Sequence, residues 1–192
     1  MDSEKKEEST IIFKKTDFTA IKYDKTKYAL EFTLANNNIN LGNIVNFDLI
    51  SLVFEINKTD IFEDFKIEIK SETSATAYIL FKHFFEDFGI PQKYAQLDIN
   101  ITKIDNQIIF TSKTNYDIPN NVQMKPTLEL IPIDYIKTNF TIIAPNKIFI
   151  RNITNFCSNI ELPDFIEKLA TTIIIKIFLR TKQFIEKMCV NI

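Results

Sequence analysis

The feature that most constrains this chain is a repeated alternation of apolar and polar residues at period two. Over residues 27–34, Tyr28, Leu30, Phe32 and Leu34 fall on one side and Ala29, Glu31 and Thr33 on the other. Residues 49–57 set Ile50, Leu52, Phe54 and Ile56 on one side, and 64–70 set Phe65, Ile67 and Ile69 opposite Lys66, Glu68 and Lys70. Successive side chains of a strand point to opposite faces, so these segments read as half-buried strands of an antiparallel sheet with one wet face. Strands are expected again at 94–102, with Leu97, Ile99 and Ile101 together, and at 107–113, 127–133, 138–144 and 147–153. Asp105-Asn106 offers a two-residue hairpin turn without glycine, because Asn tolerates positive φ. Pro145-Asn146 offers a second turn. The stretch 114–126, with Asn115, Pro119, Asn120, Asn121 and Pro126, reads as a loop.

Two segments change the period. In 74–88, Ala77, Phe81, Phe84, Phe85 and Phe88 fall on a helical stripe, which predicts a helix. Ser74 would cap its start, Gly89 suits the left-handed position after its end, and Pro91 follows. The C-terminal segment 163–189 reads as a long helix. Pro163 suits its first turn, Asp164 and Glu167 suit the positive end of its dipole, and its length would be about 40 Å. The predicted class is α+β: a mostly antiparallel meander of roughly seven to nine strands, packed by a central helix near 74–88 and a long C-terminal helix near 163–189. Two meander-plus-helix units are the alternative arrangement. Residues 1–10 are expected to be a disordered acidic tail and 11–192 one α+β domain, with 90–93 the place for any subdivision.

Charge narrows the function. The chain of 192 residues has 23 basic and 25 acidic side chains, a formal charge of −2. The first ten residues hold four acids and two lysines, so the remainder carries 21 of each sign. A neutral body disfavours general binding to nucleic acid or anionic membrane. Only Arg151 and Arg180 supply the guanidinium fork that suits phosphate and base edges. With two glycines and one histidine, a glycine-rich phosphate loop and a histidine metal cage are excluded. His83 reads as a boundary residue on the expected central helix. Asp60, Glu63 and Asp64 share a turn without glycine and read as solvated rather than as a cation site. Cys157 and Cys189 lack metal or redox spacing and read as free thiols of an intracellular protein. The charged N-terminus lacks an apolar leader, and no run of about 18 apolar residues suggests a membrane span.

The remaining candidates are surfaces. Phe81, Phe84, Phe85 and Phe88, with Ile173, Ile174, Ile177 and Phe178, are candidates for an interface or a cavity lining. Lys14, Lys15, Lys22, Lys25 and Lys27, interleaved with Tyr23 and Tyr28, make a candidate basic surface, which reads first as a lysine-protected edge strand. The first functional expectation is a non-enzymatic interaction or structural subunit of a larger intracellular or viral assembly, bound to a protein partner or a second copy. The viral element comes from the excess of Ile, Asn and Phe (34, 18 and 18 residues), which suggests an AT-rich genome. The alternative is a carrier for a small apolar ligand, with the C-terminal helix closing a curved sheet. The third is a nucleic-acid contact module through 11–30. No cofactor or metal is expected.

Overall fold

The alternation resolves into ten strands that join one sheet. The structure, a computed structural model, describes residues 9–117, 128–157 and 164–189, with the side chains of 164–167 excepted. In chain order the elements are β1 (Thr10–Lys15), β2 (Phe18–Lys22), β3 (Lys27–Ala35), α1 (Leu41–Ile44) and α2 (Phe47–Asn57). They continue with β4 (Phe62–Ser71), β5 (Ser74–Phe81), β6 (Gln92–Ile104), β7 (Gln107–Thr114) and β8 (Leu128–Leu130). The last are β9 (Ile133–Ala144), β10 (Lys147–Phe156) and α3 (Asp164–Lys187). The sheet order is β1-β2-β3-β10-β9-β7-β6-β5-β4, all antiparallel, and the short β8 lies parallel to the start of β6. The expected tail at 1–10, the loop residues Pro119 to Pro126 and the helix start at Pro163 lie wholly or mostly outside the described residues.

Register carries the apolar face from one strand to the next. Phe18 pairs with Phe32, Phe32 with Ile150, Ile150 with Phe140, and Phe140 with Ile108. A parallel row runs Ile69, Ala75, Ile99, Ser112, Ile136. Directly paired residues share a face, so these rows form one inner face. Helix α3 lies on it, with Ile175, Ile177 and Ile185 buried. Phe178 meets Phe32 edge to face at 6.0 Å.

Two expected elements are corrected. The strand expected at 49–57 is helix α2. Its apolar residues are dense enough to fit either period, but Phe47, Phe54 and Asn57 share its buried face at helical spacing. Asn46 decides the matter locally, since its side chain accepts the Asp48 amide at 2.8 Å and caps the helix. The helix expected at 74–88 is instead strand β5 followed by a loop. Ala75, Ala77, Ile79 and Phe81 also alternate, and pairing with β4 on one side and β6 on the other outweighs helical propensity. The Ser74 hydroxyl closes the β4–β5 hairpin on Ser71 at 2.8 Å rather than capping a helix. Only Glu86–Phe88 makes a helical turn, of 3-10 type, and Gly89 ends it at φ +67°. The hairpin at Asp105-Asn106 forms as expected, with Asp105 rather than Asn106 taking the positive φ, at 50°.

Candidate functional site

The residues that the sequence marked as apolar stripes divide by place. Phe81, Phe84, Ile173, Ile177 and Phe178 converge on a satellite cluster with Phe54, Ile61 and Phe62, where α2, β4, β5 and α3 meet. Phe54 stacks on Phe65 at 3.5 Å, and Phe62 lies 5.5 Å from Phe81. Ile174 packs on the main core instead. Phe85 is buried in the loop after β5, with its ring 6.4 Å from that of Phe84. Phe88 turns outward, 63% exposed. The site is thus the inner face of the sheet, roofed by α3, with an aromatic cluster at one side.

Helix α3 is held to this face by named polar anchors. Lys182, only 9% exposed, donates to the Thr33 carbonyl at 2.7 Å and pairs with Asp17 at 3.1 Å and with Glu186. Asn36 is 3% exposed, and its amide donates to the carbonyls of Ile185 and Met188, the latter at 2.9 Å. These carbonyls lie at the C-terminal end of α3, where the helix leaves its last acceptors short of internal donors. On another flank Asp60 accepts from Arg180 and pairs with Lys176 at 3.4 Å. Lys176, Arg180 and Lys182 thus have tertiary partners and do not rest on the helix dipole alone.

The Arg180 hydrogen bond and charge, with a smaller contribution from Lys176, hold the Asp60 carboxyl below the usual carboxylate range. A depressed folded value means that the clamp contributes above the unfolded carboxylate value, roughly pH 4, and is lost as pH falls through the folded value. Asp60→Asn is expected to remove that acid-side loss of α3 anchoring. The check is the pH dependence of Tm between roughly pH 2 and pH 6, compared with wild type. An unchanged profile would show that Asp60 does not carry it.

Two pockets among the described residues are small. One of about 210 Å³ lies at the end of the inner face, lined by Val45, Asn46, Glu72, Thr73, Ile101 and Lys103. Another of about 50 Å³ lies beside Phe54, Phe62 and Phe65. Sites for small molecules commonly span about 300–1,000 Å³. Neither of these two would hold a larger apolar guest with α3 in the position described.

The candidate basic surface does not form one patch. Lys14 and Lys15 flank the β1–β2 turn, whereas Lys22, Lys25 and Lys27 lie around the β2–β3 turn, separated by the length of β2, about 16 Å. Lys22 lies over the Tyr28 ring at 5.7 Å and Lys27 over the Tyr23 ring at 5.2 Å. Strand β1 is an edge of the sheet, as the lysine-protected reading expects. Both arginines are committed within the chain: Arg151 to Glu31 at 3.0 Å and to the Tyr23 hydroxyl, Arg180 to Asp60. His83 sits in the loop after β5 rather than on a helix, and Nε2 contacts the Ile90 carbonyl at 2.7 Å. Glu63 accepts from Gln92 at 2.7 Å. Asp64 accepts from the Phe65 amide at 2.9 Å. Cys157 and Cys189 are free thiols. Among the described residues, no cluster of three His, Cys, Asp or Glu could hold a metal, and no helix is long and apolar enough to cross a membrane.

The buried polar residues of the candidate site that sequence reasoning missed are Asn36, Asn57 and Lys182. Lys182 carried a readable signal. It stands four residues after Phe178 and three before Ile185, so it falls on the apolar stripe of α3.

No family model matches the chain, and no curated protein matches its sequence. Its fold is similar to that of the human StarD13 lipid transfer and protein localization domain, with a TM-score of 0.69 and 8% identity over 96% of this chain and 92% of that one. It is similar to human StAR-related lipid transfer protein 5, with a TM-score of 0.67 and 9% identity over 93% and 86% of the two chains. A STAR-related lipid transfer protein from Xanthomonas axonopodis aligns with a TM-score of 0.59 and 10% identity over 93% and 96%. At identities this low, the TM-scores establish a shared fold alone. That fold is the one seen in lipid-transfer domains, and it overturns the expectation of a structural subunit of an intracellular or viral assembly.

Proposed function

We propose that this chain is a non-enzymatic carrier for a small apolar ligand, held between α3 and the inner face of the sheet. The observation that carries the reading is the broad, mainly apolar inner face roofed by one helix whose attachment runs through a few polar anchors. The lipid-transfer names of the structurally similar proteins support it. Phe81, Phe84, Ile173, Ile177 and Phe178 would form the apolar side of the opening.

Magnitudes favour a ligand that displaces the helix. Each buried methylene contributes about 0.8 kcal/mol, so a chain of about 16 carbons supplies on the order of 12 kcal/mol before ordering costs. Whole domains are stable by about 5–15 kcal/mol, and partial openings cost less than that. Measured against release into water, a long apolar chain can therefore offset the parting of α3 from the sheet.

The test is direct. The purified chain is incubated with vesicles of phosphatidylcholine doped with cholesterol, dioleoylglycerol and oleyl alcohol, recovered from them, and weighed by native mass spectrometry. The expected result is one lipid-sized adduct per chain. A bare protein mass after every vesicle exposure would end the carrier reading.

A further inference from the structure

Among the described residues three buried side-chain polar atoms have no hydrogen-bond partner: Asn57 Oδ1, Thr76 Oγ1 and Asn139 Oδ1. Thr76 and Asn139 lie on the outer face of the sheet, since their neighbours Ala75, Ala77 and Phe140 face inward. Asn57 alone is on the side of the helices. It closes α2 and is 0% exposed.

The other buried polar groups on this side are satisfied. Asn152 donates to Thr138 at 2.8 Å and accepts from Thr154. Thr114 accepts the Ile133 amide at 2.7 Å. Thr181 donates to the Ile177 carbonyl at 2.9 Å. Lys182 and Asn36 are used as anchors.

The orientation of the Asn57 amide is forced. Its Nδ2 donates to the Val53 carbonyl at 2.8 Å, a pure acceptor, and reaches Thr181 Oγ1 at 3.5 Å. Turning the amide over would set two carbonyl oxygens against each other. The group left over is therefore an acceptor, and it calls for a donor. Among the described residues no cation reaches Oδ1, and Arg180 and Lys176 are held on Asp60.

Asn57 is also where α3 would uncover the interior. Asp60 follows it by three residues, and Thr181 follows Arg180 directly. The Asp60 clamp is thus one of the holds on the stretch of α3 beside Asn57, with Lys182 another.

Building on the carrier reading, we propose that the ligand is an apolar molecule bearing a hydrogen-bond donor, a hydroxyl or amide N–H, which Asn57 Oδ1 accepts. A buried acceptor left unpaired is penalised, so a ligand that pairs it is selected over its methyl ether, which cannot donate.

The experiment uses the full chain and two matched probe pairs in phosphatidylcholine vesicles. One pair is oleyl alcohol and oleyl methyl ether; the other is 1,2-dioleoylglycerol and its 3-O-methyl ether. The expected result is uptake of the free hydroxyl form about tenfold tighter than the ether in at least one pair. Asn57→Leu should erase the ratio while still taking up the ether. Thr181→Val, which leaves Oδ1 in place, should keep it. Equal uptake of ether and alcohol by the wild type overturns the inference and leaves the carrier reading standing. A ratio that survives Asn57→Leu overturns it as well. Should Asn57→Leu fail to fold, the wild-type ratio and Thr181→Val decide the matter. Uptake of neither member of either pair overturns the inference, and the carrier reading falls with it only if phosphatidylcholine and cholesterol leave no adduct either.

Discussion

Phe32→Ala is expected to lower stability by about 3–5 kcal/mol. Phe32 is 4% exposed and joins Phe18 of β2 to Ile150 of β10 in the row that runs from β2 to β7. Its ring stacks on Phe18 at 5.3 Å and meets Phe178 of α3 edge to face at 6.0 Å. Truncation removes the transfer energy of the ring and opens a cavity where sheet and helix meet, and the strands on either side cannot close it without breaking register. For a chain of this size the loss corresponds to a fall in Tm of roughly 6–20 °C. The chemical denaturation midpoint should move with little change in slope, because the folded topology is kept. Phe88→Ala is the control: at 63% exposure its truncation should stay within about 0.5 kcal/mol. A Phe32→Ala loss below about 1 kcal/mol would mean that the inner face is not the core drawn here.

How far this row could be read from sequence depends on the strand. Tyr28 to Leu34 and Leu97 to Ile101 alternate so cleanly that their inward faces follow from spacing alone. The long helix α3 follows too, ending at Lys187 against an expectation of 189. The segments 49–57 and 74–81 go the other way, for one reason in both. Each fits both periods, so local pattern leaves the choice to neighbours: Asn46 caps the first into a helix, and β4 and β6 pair the second into a strand. The adjacency of β3 and β10, which brings Leu30 beside Asn152, joins residues too far apart in sequence for any local signal.

The candidate site was half legible for the same reason. Apolar stripes announce burial, so Phe81, Phe84, Ile173, Ile177 and Phe178 were marked and do converge. What sequence pattern does not tell is which polar residue inside a stripe is an anchor and which is solvated. Asn57, three residues beyond Phe54, and Lys182, four beyond Phe178, look like interruptions in one dimension. In three they tie α2 and the sheet to α3.

If α3 must part from the sheet to admit a ligand, weakening an anchor should speed exchange. Lys182→Met is expected to raise the rate of lipid transfer between vesicles about tenfold. Methionine keeps the unbranched stem and its packing, so the change is confined to the ammonium. The wild-type Nζ makes charge-assisted bonds to Thr33 at 2.7 Å and Asp17 at 3.1 Å, besides Glu186. Such bonds are each worth about 1.5–3 kcal/mol, but the buried ammonium also loses its hydration, which offsets part of the gain. The side chains of Asp17 and Glu186 remain 44% and 30% exposed, so water can take the place of the lost partner. The net change in the opening of α3 is then about 1–2 kcal/mol, a factor of roughly 5–30 in its open population. Hydrogen exchange of the α3 amides should quicken by that factor, and the transfer rate should follow it. Asp60→Asn acts on a different anchor with no shared partner, so the two changes should multiply in the rate. Faster exchange of α3 at an unchanged transfer rate would separate helix opening from ligand uptake, and the route to the inner face would then have to lie elsewhere.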